Sequence, residues 1–149
     1  MNSKKLNVLF LCTGNSARSQ MAEGLLRHFA GERFEAYSAG LTPKGLNPLA
    51  VKAMAELGID ISAQQSKDVG VYLGRLFVHS LIIVCDHAAQ HCPSIWPGMR
   101  SRIVWPIPDP ASAQGAEEER LQKFREARDQ IAALLKEWLA ENGAETGAR

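Results

Sequence analysis

Two kinds of periodicity alternate along the chain. Leu6-Asn7-Val8-Leu9-Phe10-Leu11 is a nearly continuous apolar run, the pattern of a strand covered on both faces. From Ser19 to Ala30 the apolar residues Met21, Leu25 and Phe29 recur at helical spacing. Glu35 to Ser38 predicts a short second strand ending at Ala39-Gly40, followed by a loop over Leu41 to Leu46. Asn47 then stands as a helix cap with Pro48 in the first turn, and Gly58 marks the stop. Ile59 to Asp68 shows no period, and Val69 to Phe77 predicts a short helix. Ser80 to Val84 predicts a third buried strand and Arg102 to Trp105 a weaker fourth, with Pro106 to Gly115 as a loop. Ala116 to Asn142 predicts a long amphipathic helix, with Leu121, Phe124, Ile131, Leu134, Leu135 and Trp138 on its apolar side. Glu117-Glu118-Glu119 suits the positive end of that helix. Residues 143–149 are expected to form a frayed tail.

Strands alternating with helices predict an α/β fold with a parallel sheet. In such sheets ligands sit beyond the carboxyl ends of the strands. Cys12, Cys85 and the Trp105–Asp109 stretch all fall just after predicted strands. Three chemically distinctive segments are therefore expected at one sheet edge. No repeat or linker divides the chain, so residues 1–149 are expected to form a single domain.

Composition narrows the class without adding chemistry. The 149 residues are 46% apolar and 22% charged, with a formal net charge of +1. Nothing in that balance points to nucleic acid or an anionic membrane as the main partner, and no apolar stretch is long enough to span a bilayer. Lys4-Lys5 followed by Leu6 to Cys12 has the outline of a signal peptide. The run is too short, contains Asn7, and leads into Gly14 and Arg18 rather than a small-residue cleavage site. Three cysteines, an odd number, fit a reducing compartment better than a disulfide scaffold. The expected location is the cytoplasm.

The chemistry concentrates in Cys12-Thr13-Gly14-Asn15-Ser16-Ala17-Arg18-Ser19. A thiol and a guanidinium bracket a short loop between a strand and a helix. Amides at a helix N-terminus attract anions, and the same field favours a thiolate. Gly14 can take a conformation that turns amides inward, and Ser16 and Ser19 offer hydroxyls to the loop and the sulfur. The expected anion site is Thr13, Gly14, Asn15, Ser16, Ala17 and Arg18. By itself Cys12 could be a buried core thiol and Arg18 a solvated charge; the loop's composition and position favour a nucleophile beside an oxyanion cradle.

This stretch, continued through Gln20-Met21-Ala22-Glu23, resembles the signature loop of the low-molecular-weight tyrosine phosphatase superfamily, and within it the arsenate reductase branch. The resemblance extends to Tyr37-Ser38-Ala39-Gly40, Asn47-Pro48, Cys85 to Cys92-Pro93 and Asp109-Pro110-Ala111. It implies a flavodoxin-like fold: a four-stranded parallel sheet with helices on both faces.

Cys85-Asp86-His87-Ala88-Ala89-Gln90-His91-Cys92 admits three interpretations. In the first, Cys85 simply ends a buried strand; in the second, Cys85, His87, His91 and Cys92, all zinc-ligand types, bind a metal, although their spacing matches no known finger; in the third, the two thiols are redox partners. If Asp86 to His91 is helical, Cys85 and Cys92 stand about 10 Å apart, whereas a disulfide needs Cα atoms about 4.4–6.8 Å apart. The redox interpretation thus expects an order–disorder switch over Asp86–His91, testable by hydrogen exchange. Arsenate reductases of the resembled type use a three-cysteine relay, and Cys12, Cys85 and Cys92 match it position by position. The resemblance implies attack by Cys12 on arsenate, protonation of the leaving hydroxide by Asp109, and support of the thiolate by Ser19. A Cys12–Cys85 disulfide then passes to Cys85–Cys92, which an external dithiol reduces: thioredoxin, or else a glutaredoxin-type donor. No tightly bound cofactor is expected, and phosphate or sulfate would compete with arsenate. Asp109 alone could also be a turn residue before Pro110. Ala111, where phosphatases tend to carry an aromatic residue, favours a compact oxyanion over a tyrosyl phosphate. The rival expectations are a tyrosine phosphatase and a non-enzymatic oxyanion sensor; the latter would need neither nucleophile nor acid.

Two departures stand out. Ala17 replaces a cysteine common in the reductases. Some members bind potassium beside the loop; Asn15, Glu23 and Ser38 match its ligands, but Lys67 stands at the position of the aspartate. The expectation is that the Lys67 ammonium fills the cation's place, organises Asn15 and Glu23, and makes activity independent of potassium. His87, His91, Trp96 and Trp105 could contact the reductant or simply pack.

Overall fold

The computed structural model describes residues 5–85 and 99–142. Four parallel strands, β1 (Leu6–Cys12), β2 (Phe34–Gly40), β3 (Ser80–Ile83) and β4 (Ser101–Val104), form one sheet in the order β2-β1-β3-β4. Helices α1 (Arg18–Ala30), α2 (Pro48–Ala55) and α3 (Glu117–Glu141) pack against one another. This is the flavodoxin-like order expected, with the chain reversing its direction of travel across the sheet beside β1.

The reason lies in the central strand. Val8, Leu9, Phe10 and Leu11 have no exposed surface, so neither face of β1 can be left to water. Each large apolar side chain buried in this way is worth roughly 1.5–3 kcal/mol. On one face Phe34 of β2 meets Trp138 of α3, ring centroids 5.0 Å apart. On the other, Tyr37 meets Tyr72 edge-on at 5.3 Å, which fastens the segment after residue 68 over the sheet.

That segment departs from expectation. Only Val69–Val71 is helical, as a single 3-10 turn capped by Asp68. Gly74 takes φ +80°, which ends any continuation toward Phe77. α2 starts at Pro48 as expected, with the Asn47 side chain accepting the Leu49 N–H at 2.8 Å, whereas β2 is longer than expected, from Phe34 through Gly40.

An ion-pair cluster ties α2 to α3. Arg125 donates to both Glu56 carboxylate oxygens, 3.0 Å to Oε1 from Nε and 2.8 Å to Oε2 from Nη2. Arg128, buried on the face assigned to apolar residues, reaches Glu56 Oε1 at 3.0 Å and the Ala53 carbonyl at 2.7 Å. The Arg125 hydrogen bond, followed by that of Arg128, holds the Glu56 carboxyl down at about 2. A depressed acid stabilises the fold above its ordinary value of 4.5 and loses that contribution as pH falls toward the folded value. Glu56→Gln should therefore melt lower than wild type at pH 7, by roughly 2–4 °C. The gap should narrow as the pH drops from about 4.5 toward 2. A thermal melt series over pH checks this, and a gap that does not narrow in acid refutes it.

Candidate active site

The register of the sheet assembles the site. Cys12 pairs with Gly40 on one side, and Leu11 pairs with Ile83 on the other. Cys85 therefore leaves β3 beside the end of β1. Trp105 continues from β4, its N–H on the Ile83 carbonyl at 2.7 Å, and carries the chain to Asp109. The three expected segments meet at the carboxyl edge, around a cleft of about 430 Å³ whose walls include Cys12, Arg18, Lys44, Cys85 and Asp109.

Residues 13–17 form the floor. Asn15 sits in the left-handed region at φ +46°, tolerated by a short polar side chain that bonds locally. It is fully buried and bonded at both side-chain polar atoms: Nδ2 donates to Ser19 Oγ at 2.8 Å, and Oδ1 accepts the Lys67 N–H at 2.7 Å and Gln20 Nε2 at 3.1 Å. Because Ser19 Oγ accepts from Asn15, its own hydrogen is free to point at Cys12 Sγ, 2.9 Å away. The Asn15 N–H also donates to Cys12 Sγ, at 3.2 Å. The sulfur is thus met by a hydroxyl and a backbone amide, both groups able to donate to it.

Arg18 opens α1. Its Nη1 donates to the Ile107 carbonyl at 2.9 Å and its Nη2 lies 4.0 Å from Asp109 Oδ1. Anchored on that carbonyl, the guanidinium is aligned along the cleft wall. The cap position of α1 is Ala17, with no side-chain oxygen, so no side chain competes with an anion for the first-turn amides. Asp109 caps the 3-10 turn Pro110–Ser112 by accepting the Ala111 N–H at 2.9 Å, while its side chain remains half exposed to the cleft. Cys85, buried like Cys12, lies 3.5 Å from the Thr13 hydroxyl.

The supporting residues are arranged differently from the cation expectation. It is the backbone N–H of Lys67, not its ammonium, that holds Asn15; Lys67 Nζ donates to the Gln65 carbonyl. Glu23 is held by Ser38 Oγ at 2.6 Å and by Arg27 Nη2 at 2.6 Å. Burial lowers the Lys67 pKa, with Glu23 opposing that shift and Arg27 adding to it. Arg27 wins the carboxylate because it lies one helical turn from Glu23, in direct reach. Gln20 and Gln64, unremarked in the sequence, complete the support: Gln64 Nε2 donates to Gln20 Oε1 at 2.7 Å, and Gln20 Nε2 to the Asn15 carbonyl at 3.0 Å. Trp105 is buried and packs. Asp86, His87, His91, Cys92 and Trp96 lie outside the described residues, and with them the zinc interpretation and the expected switch. Among the described residues, no group of three or more metal-ligand side chains is placed to hold an ion, and no helix is long and apolar enough to cross a membrane.

A family model described as low molecular weight phosphotyrosine protein phosphatase matches residues 7–147. The chain belongs to this family. Within it, the chain is 44% identical over 147 residues to an arsenate reductase of Halalkalibacterium halodurans, covering 99% of each chain. Among solved structures of the same fold, an arsenate reductase in the phosphate binding state superposes with a TM-score of 0.78 at 29% identity, over 91% of this chain and 98% of that one. A thioredoxin-dependent arsenate reductase of Corynebacterium glutamicum gives a TM-score of 0.66 at 26% identity, over 95% of this chain and 65% of that one. Within the phosphatase family the chain stands on the arsenate reductase branch.

Proposed function

We propose that this protein reduces arsenate to arsenite through successive thiol chemistry at Cys12, Cys85 and Cys92. The observation that carries the proposal is a second buried thiol, Cys85, in the wall of the cleft that holds the Cys12 nucleophile. Phosphate-ester hydrolysis uses one thiol; a reduction needs another to supply electrons.

Arsenate is held by the amides of residues 13–17 and the fork of Arg18. The Cys12 thiolate, supported by Ser19 and Asn15, forms a bond to arsenic. Asp109 protonates the departing hydroxide, which leaves as water. Cys85, as thiolate, then attacks Cys12 Sγ. The sulfur–arsenic bond breaks, its electron pair goes to arsenic, arsenite leaves, and a Cys12–Cys85 disulfide remains. Attack of Cys92 on Cys85 Sγ releases the Cys12 thiolate and moves the disulfide to Cys85–Cys92. An external dithiol reduces that bond by exchange; similarity to a thioredoxin-dependent reductase favours thioredoxin over a glutaredoxin-type donor. The chemistry calls for no tightly bound cofactor, and residues 1–149 act as one domain. A relay of free thiols suits a reducing compartment such as the cytoplasm.

The test is arsenate-dependent NADPH oxidation with thioredoxin and thioredoxin reductase, comparing wild type with Cys92→Ser. Turnover in wild type that vanishes in the variant is expected. Absence of turnover in wild type, with aryl phosphate hydrolysis that survives Cys92→Ser, would make the protein a phosphatase.

A further inference from the structure

Arg18 is not the only cation in the cleft. Lys44 also lines it, and the chain holds it there by its backbone. Residues 42–47 run along the outside of the Cys12 loop in a ladder: Thr42 N–H to the Thr13 carbonyl at 2.8 Å, Lys44 N–H to the Gly14 carbonyl at 2.9 Å, and Asn47 N–H to the Ser16 carbonyl at 2.9 Å. Gly45, at φ +89°, turns the chain immediately after Lys44. The lysine stem lies over Gly14: its Cδ and Cγ are 3.4 and 3.5 Å from where a Cβ on Gly14 would stand. Lys44 is exposed to solvent while lining the cleft. Among the described residues, no carboxylate pairs with it.

The charge balance of the cleft gives that ammonium a purpose. Arg18 shares its charge with Asp109 and the Ile107 carbonyl. An oxyanion with two negative charges must approach a sulfur that reacts as an anion, and one shared guanidinium leaves the approach under-compensated. We propose that Lys44 is a substrate-binding residue, whose ammonium supplies the second positive charge at the mouth and selects doubly charged tetrahedral oxyanions over singly charged ones. The assignment rests on the reading of the cleft as an oxyanion site. A charge at a cleft mouth acts on encounter and binding more than on bond making, so its loss should raise KM for arsenate while kcat changes far less.

Lys44→Met separates charge from packing, since methionine keeps a stem over Gly14. Anion binding is read without turnover, as protection of Cys12 from alkylation by neutral iodoacetamide, followed on the Cys12 peptide by mass spectrometry. In Lys44→Met the sulfate concentration for half-protection should rise about tenfold, a change of ~1.4 kcal/mol. That for perchlorate should rise less than threefold. Lys44→Arg should restore the wild-type value within about threefold, and raising sodium chloride should shrink the difference. Equal sulfate protection in wild type and Lys44→Met, or an equal loss for both anions, overturns the assignment. No protection of wild type by sulfate overturns both the assignment and the oxyanion site. Protection that behaves as expected in a protein without arsenate turnover sinks the reductase proposal and leaves Lys44 in place.

Discussion

Cys85→Ser is expected to reduce steady-state arsenate turnover at least about a thousandfold, the scale of losing an essential nucleophile, while the residual aryl phosphate hydrolysis expected of a site that takes arsenate, since phosphate shares its shape and charge, persists within a few fold. The first half of the proposed chemistry uses Cys12, the loop amides, Arg18 and Asp109, none of which the substitution alters. The second half needs a thiolate able to attack sulfur, and a serine hydroxyl does not. Arsenic would then remain bonded to Cys12 until water removed it as arsenate, with no change of oxidation state. Thr13, 3.5 Å from Cys85 Sγ, would face the serine hydroxyl with a comparable partner, so the local structure should hold. Coupled NADPH oxidation and aryl phosphate release, measured on the same preparation, check both arms. Arsenite production by Cys85→Ser at the wild-type rate would remove Cys85 from the relay, and loss of both activities would point to a damaged loop.

Gly40→Ala should disable the site through sterics alone. A Cβ on Gly40 would fall 2.8 Å from the Asn15 nitrogen, 2.8 Å from the Thr13 carbonyl oxygen and 2.9 Å from Asn15 Cβ. Two of these are backbone atoms and cannot swing aside. Gly40 itself is pinned by pairing with Cys12, a bridge to Asp68 and a 2.8 Å hydrogen bond from its N–H to the Lys67 carbonyl. The loop must therefore give way, and with it the Asn15 N–H that supports the sulfur. Overpacking of this kind costs about 1–3 kcal/mol, and misplacement of a catalytic loop by an ångström lowers rate about a hundredfold. The expected result is a lower Tm together with a fall in kcat/KM of at least about a hundredfold and slower alkylation of Cys12. Wild-type activity in Gly40→Ala would show that the loop has slack that these contacts deny.

Both expectations depend on different kinds of information in the chain. The Cys12 to Ser19 loop, the uninterrupted apolar β1 and the Asn47-Pro48 start of α2 were legible because each is written in adjacent residues. A strand covered on both faces, a nucleophile before a helix and a cap before a proline are local patterns, and local backbone physics acts on them directly. The convergence of Cys12, Cys85 and Asp109 was legible too, because a parallel sheet puts every strand's carboxyl end on one edge. Where local signals conflicted, the expectation slipped: apolar residues from Val69 to Phe77 suggested a helix, but Gly74 and the docking of Tyr72 on Tyr37 kept only one turn.

By itself, then, the sequence determined the strand and helix order and marked the Cys12 to Ser19 loop, its proposed nucleophile and the expected partner thiol. Tertiary structure alone decided that Arg27 rather than Lys67 holds Glu23, that Gln20 and Gln64 brace Asn15, that Gly40 must lack a side chain, and that Lys44 shares the cleft with Arg18. Most of these contacts join residues far apart in sequence, and even the pairing of Arg27 with Glu23 depends on which cation the fold keeps within reach. No periodicity encodes such choices, because they follow from which strands pair and in what register; the hydrogen bonds of buried polar groups are settled only once that register has closed the surrounding space.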